Sequence, residues 1–101
     1  QDPLSWEYYY LANLKDGWFA ITDHVSDTGF AMVFDKARFR NIHIWMVNGG
    51  WRGIRTIAIE PWTAMPAALD HAITAGTAGE LQVGQKISTQ IKMIVFKMNS
   101  S

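Results

Sequence analysis

The chain has 101 residues, enough for one domain, with 49% apolar and 18% charged residues, a globular and not a disordered composition. Nine basic and nine acidic residues give a formal net charge of zero, which removes the electrostatic footprint expected for nucleic acid or an anionic membrane. There is no cysteine, hence no disulfide framework, thiolate metal site or thiol nucleophile, and no apolar run approaches the roughly 18 residues of a membrane span.

The first run, "SWEYYYLANL", reads as a strand or an edge segment, with no basic lead or apolar stretch of a signal peptide before it. "GWFAITD" (17–23) alternates Phe19 and Ile21 against Trp18, Ala20 and Thr22. "DTG" then predicts a turn into "FAMVFD" (30–35). After the charged bend 36–40 comes "NIHIWMVN" (41–48). Its alternation puts Ile42, Ile44 and Met46 on one face, expected to be core. His43, Trp45 and Val47 fall on the other, expected to be the surface that meets a ligand. The glycine-rich "NGGWRG" needs positive φ somewhere and leads into "IRTIAIE" (54–60). It lacks the lysine and the strand–loop–helix setting of a nucleotide loop.

"TAMPAALDHAITAG" (63–76) is the one helical candidate, with Pro66 placed for a first turn and Gly76 as a stop; an ordered loop is the alternative. The final run, "KISTQIKMIVFKM" (86–98), alternates and then turns wholly apolar. Five or six strands, hairpin connections and one helical turn predict an all-β fold, an antiparallel sandwich in a single domain over residues 1–101.

Glu60 is the residue with the most chemical promise. A buried strand ends in this carboxylate, Ala58 leaves room beside it, and Pro61 confines it to extended backbone. A carboxylate held rigidly between aromatics suits general-base work. The competing reading is an ion pair at a sheet rim, with Arg52 or Arg55 as partner. The Arg38/Arg40 and Arg52/Arg55 clusters otherwise read as solvated strand ends. His24 and His71 read as solvated loop residues, and no two histidines have metal-ligand spacing, so neither a metal nor another cofactor is expected. Five Trp in so short a chain suit either a sandwich core or faces that stack on sugar rings.

The stretch "TIAIEPWTAMPAALDHAITAG…GELQVGQKISTQIKMIVF" resembles the C-terminal part of the galactose mutarotase (aldose 1-epimerase) family. There a strand ends in Glu, a Pro-containing loop follows, and an L-x-P-G-E turn feeds the last strand. The match falls on Glu60, on the Pro61-Trp62-Thr63 loop with Pro66, and on Leu81-Gln82-Val83-Gly84-Gln85. The resemblance implies a truncated antiparallel β-sandwich of galactose mutarotase-like type, a free sugar as small-molecule partner, and anomer interconversion as the activity. It implies Glu60 as the general base that takes the anomeric proton. His43 is the candidate acid within this chain, and Trp45, Trp51, Trp62 and Arg55 are candidate sugar-binding residues. The sequence departs from the pattern at Ala67, where the family has Asp, at Val83 for Pro and at Gln85 for Glu. The family's catalytic histidines belong to a region upstream of the matched part. A partial sandwich exposes strand edges and an apolar face, so a homodimer or higher homo-oligomer is expected, or else a piece of a longer product. The compartment stays open, with the cytoplasm slightly favoured.

Overall fold

A computed structural model describes residues 4–99. The fold is all-β with one short helix, and its six strands form two three-stranded antiparallel sheets. The strands are β1 (Ser5–Leu11), β2 (Trp18–Asp23), β3 (Thr28–Val33), β4 (Asn41–Asn48), β5 (Arg55–Trp62) and β6 (Lys92–Lys97), with α1 (Leu69–Ala75) between the last two. Sheet A has the order β1-β4-β5, and sheet B the order β2-β3-β6.

Two hairpins seed the sheets. In the β2–β3 hairpin the turn is His24–Asp27, and Thr28 and Gly29, expected in the turn, already belong to β3. The Asp23 carboxylate explains the shift. It accepts from the backbone N–H of Val25 and the hydroxyl of Ser26, both at 2.9 Å, and Asp27 takes the left-handed conformation at φ 58°. Those bonds hold the Asp23 carboxyl below the usual carboxylate range. In the β4–β5 hairpin the glycine-rich loop carries the positive φ its sequence calls for, at Gly49, Arg52 and Gly53.

The connections that leave β1 and β3, both running between the sheets, are bonded to each other. Phe34 N–H donates to the Gly17 carbonyl at 2.8 Å, and the Lys36 ammonium donates to the Lys15 carbonyl at 2.8 Å. Phe34, 5% exposed, packs edge-on to Phe39 beside this joint. Gly17 has no room for a side chain, since a Cβ there would lie 2.1 Å from the Phe34 carbonyl oxygen.

Three sequence expectations need correction. Pro66 does not open α1 but lies three residues before Leu69, because Ala68 is still extended at ψ 120°; Gly76 does close the helix, in the left-handed conformation. The last strand covers only Lys92–Lys97. Residues 77–91 form no strand or helix, apart from a turn in which Gln85 N–H donates to the Gln82 carbonyl and Gly84 has φ 78°. The third concerns sheet A. The most enclosed side chain is His43, fully buried, together with Val47 on its face, whereas on the face expected to be core Ile42 is buried but Met46 and Ile57 are about 40% exposed.

Sheet B is apolar on both faces and enclosed on neither. Register puts Phe19, Ile21, Phe30, Met32, Met93 and Val95 on one face, of which Met93 is 66% and Val95 80% exposed. The other carries Trp18, Val33, Ile94 and Phe96. Only Gly29 is buried there, because the Phe96 ring lies across it. The accessible surface is 7806 Å², against about 5,800 Å² for a compact monomer of this mass. The radius of gyration is 16.4 Å, against about 13 Å for a compact domain of this length.

Candidate functional site

The site is a row of side chains across sheet A. Residues directly opposite in an antiparallel pair share a face, so register decides what meets. Tyr10 lies opposite His43, and His43 opposite Glu60. The adjacent row joins Tyr8, Trp45 and Ala58. Trp62, two residues beyond Glu60, shares its side of β5 and pairs across to Asn41.

His43 is held from every side. Its ring stacks on Trp62, with centroids 4.1 Å apart and planes within 9°, and Tyr10 meets it edge-on at 4.7 Å. The Ala64 carbonyl lies 3.0 Å from Nε2 and can only accept, so Nε2 carries the proton. Nδ1 is then the acceptor for the Tyr8 hydroxyl at 2.9 Å. Burial pushes the imidazole pKa below its ordinary value, opposed by the bond to Ala64 and by the charge of Glu60. His43 is thus a neutral ring with both nitrogens engaged. Desolvation, together with the nearby Glu60 charge, raises the Tyr8 pKa, which keeps its hydroxyl a proton donor to that ring.

Glu60 is half-buried. Its Oε2 accepts from Trp62 Nε1 at 2.7 Å, while Oε1 has no hydrogen-bond partner among the described residues. One indole therefore stacks on the histidine and aims the carboxylate. The rim ion pair does not form. Arg55 stands at the other end of β5 on the opposite face, where its guanidinium donates to the Asn48 side chain. Arg52 lies over the Trp51 ring, 4.9 Å from its centroid. Trp51 in turn packs at a tilt on Trp45, 5.5 Å away, as a second aromatic corner on the Glu60 side of the sheet.

Of the residues singled out in the sequence, Glu60, His43 and Trp62 come together, Trp45 and Trp51 lie along the same face, and Arg55 does not join them. His24 and His71 are exposed, the latter 4.0 Å from Asp70. No cluster of three metal-ligating side chains occurs among the described residues. Sequence reasoning missed Tyr8 and Tyr10. The alternation Trp6, Tyr8, Tyr10 was there to be seen, but not that β1 lies against β4.

Beyond His43, Asn41 of the same face lines an open cleft of about 560 Å³ together with Met65, Lys36 and Arg40; Glu60 is not among its walls. Comparison with family models, with curated proteins and with solved structures gives no match.

Proposed function

We propose that the chain is an aldose 1-epimerase-like carbohydrate-binding domain, in which Glu60 receives a sugar hydroxyl on a face lined by Trp62 and Trp45. The observation that carries this reading is the single hydrogen bond on the Glu60 carboxylate. One oxygen is fixed by Trp62 Nε1 and the other has no partner among the described residues, next to aromatic rings. A rigid acceptor beside an indole suits a pyranose, which offers hydroxyl donors at its rim and C–H bonds on its face.

The geometry favours binding over turnover. Anomer interconversion needs a base at the anomeric hydroxyl and an acid at the ring oxygen. Glu60 Oε1 is free to take a proton, but His43 is not placed to give one. Its only N–H is spent on Ala64, burial keeps the ring neutral, and its role is to carry Trp62. Turnover is the second reading, and the free Glu60 oxygen is what speaks for it. The bare apolar faces of sheet B support assembly of the domain as a homo-oligomer.

Titration with D-galactose, D-glucose and a wider panel of neutral sugars, followed by Trp fluorescence, tests the binding reading. A saturable response, weakened about tenfold in Glu60→Gln by loss of a charge-assisted hydrogen bond, is expected. A flat response to every sugar would sink it. Polarimetry of fresh α-D-glucose and α-D-galactose tests the second reading, which fails if the wild type and Glu60→Gln both leave the spontaneous rate unchanged. Sedimentation across a concentration series tests the oligomer, which a single monomeric species at all concentrations would refute.

A further inference from the structure

The cleft beyond His43 has no part in the binding reading above, yet it shares a residue with the same sheet face. Asn41, which lines it, pairs with Trp62, one row past the His43–Glu60 pair. Successive residues on one face of a strand lie about 7 Å apart, so a hexose on Glu60 and Trp62 brings an exocyclic group to Asn41.

Three observations define what the cleft accepts. Asn41 is 7% exposed, and its carboxamide makes no hydrogen bond to protein among the described residues. Its polar atoms are not sealed from solvent, so the amide is open to a ligand in the cleft. Arg40 is exposed at the wall, and its guanidinium makes no hydrogen bond or ion pair among the described residues. Lys36 also lines the cleft, and its ammonium donates to the Lys15 carbonyl at 2.8 Å. Among the described residues none of the cleft's walls carries a carboxylate. The adjacent acid, Asp35, is turned onto the Ala37 backbone N–H at 2.9 Å. Two cations and an amide line one cleft with no carboxylate beside them, a composition that suits an anion with several acceptor oxygens.

We propose that this cleft takes an anionic substituent of the bound sugar, a carboxylate or a phosphate ester, held by Arg40 and Lys36 and oriented by Asn41. The inference rests on the carbohydrate reading and narrows it to acidic sugars.

The test titrates D-glucose and D-galactose against D-glucuronate, D-galacturonate and the two hexose 6-phosphates, with Trp fluorescence as readout. Anionic sugars are expected to bind about tenfold tighter than their neutral parents. In Arg40→Gln that advantage should vanish while the affinity for neutral sugars holds, and raising NaCl should shrink it in the wild type. A preference confined to uronates assigns the group to a carboxylate, one confined to phosphates to a phosphate ester, and either supports the cleft. Neutral sugars binding as tightly as acidic ones, or an advantage that survives both Arg40→Gln and salt, overturns this inference and leaves the carbohydrate reading standing. No response from neutral or acidic sugars overturns both.

Discussion

Sheet A and sheet B have three strands each and similar apolar content, yet only sheet A encloses large side chains. Sheet A encloses a histidine, and supplies that polar ring with a carbonyl, a hydroxyl and a stacking indole. Sheet B leaves Val95 and Met93 largely in solvent, with nothing in the described chain laid over them. Enclosure here follows what lies on a sheet more than how apolar the sheet is. The 63–67 segment folds back over β4 on one side, while residues 77–91 form no strand or helix of their own. Stability is therefore concentrated around His43 and the joint at Phe34, and the other end of the molecule keeps surface in reserve.

That contrast can be broken by substitution, and the largest effect belongs to sheet A. His43→Ala removes two hydrogen bonds and a stacked ring from a fully buried position, and should cost about 3 kcal/mol in urea unfolding. Gly17→Ala should follow at about 2 kcal/mol, because its Cβ meets the Phe34 carbonyl oxygen, a backbone atom that cannot swing away. Acidification comes next. The folded pKa of His43 lies below its ordinary 6.5, so the unfolded chain takes up a proton that the folded chain resists. This contribution is intact above about pH 6.5 and declines as the pH falls below it. The wild type should lose melting temperature there, and His43→Gln should flatten that dependence. Trp62→Phe keeps the stack but releases Glu60 Oε2, for a loss of about 1 kcal/mol in the same urea assay. The smallest effect belongs to sheet B, where Val95→Thr should stay within about 0.5 kcal/mol in dilute protein. If Val95→Thr instead costs as much as His43→Ala, sheet B is covered in solution and the contrast fails.

Local pattern carried much of the fold. The alternation in "NIHIWMVN" is β4 residue for residue, and the Gly76 stop stands where expected. What failed was the sense of inside and outside. The Ile42 and His43 faces both look plausible as core, and the choice depends on which distant segment lies on each. The 63–67 segment is fixed over His43 by the Ala64 carbonyl, a backbone group with no signature in sequence. Glu60 was legible because a charged residue at the end of an apolar strand breaks the pattern. The tyrosines that complete its surroundings come from β1, more than 30 residues from their partners on β4, and only sheet order brings them there. Arg55, at the other end of the same strand, does not share the face of Glu60. Parity along β5 separates them, since five positions put them on opposite faces.

The pairing of β6 with β3 has a consequence for the order of assembly. Within the β2–β3 and β4–β5 hairpins, partners meet across short turns, whereas Phe30 pairs with Val95 only after β4, β5 and α1 have intervened. Closing so long a loop costs chain entropy before any contact repays it, so the two hairpins form ahead of the last strand. The Phe96 ring over Gly29 is then a late lock. A bulkier residue at Gly29 should speed unfolding of the finished domain and leave the rate of hairpin formation almost untouched.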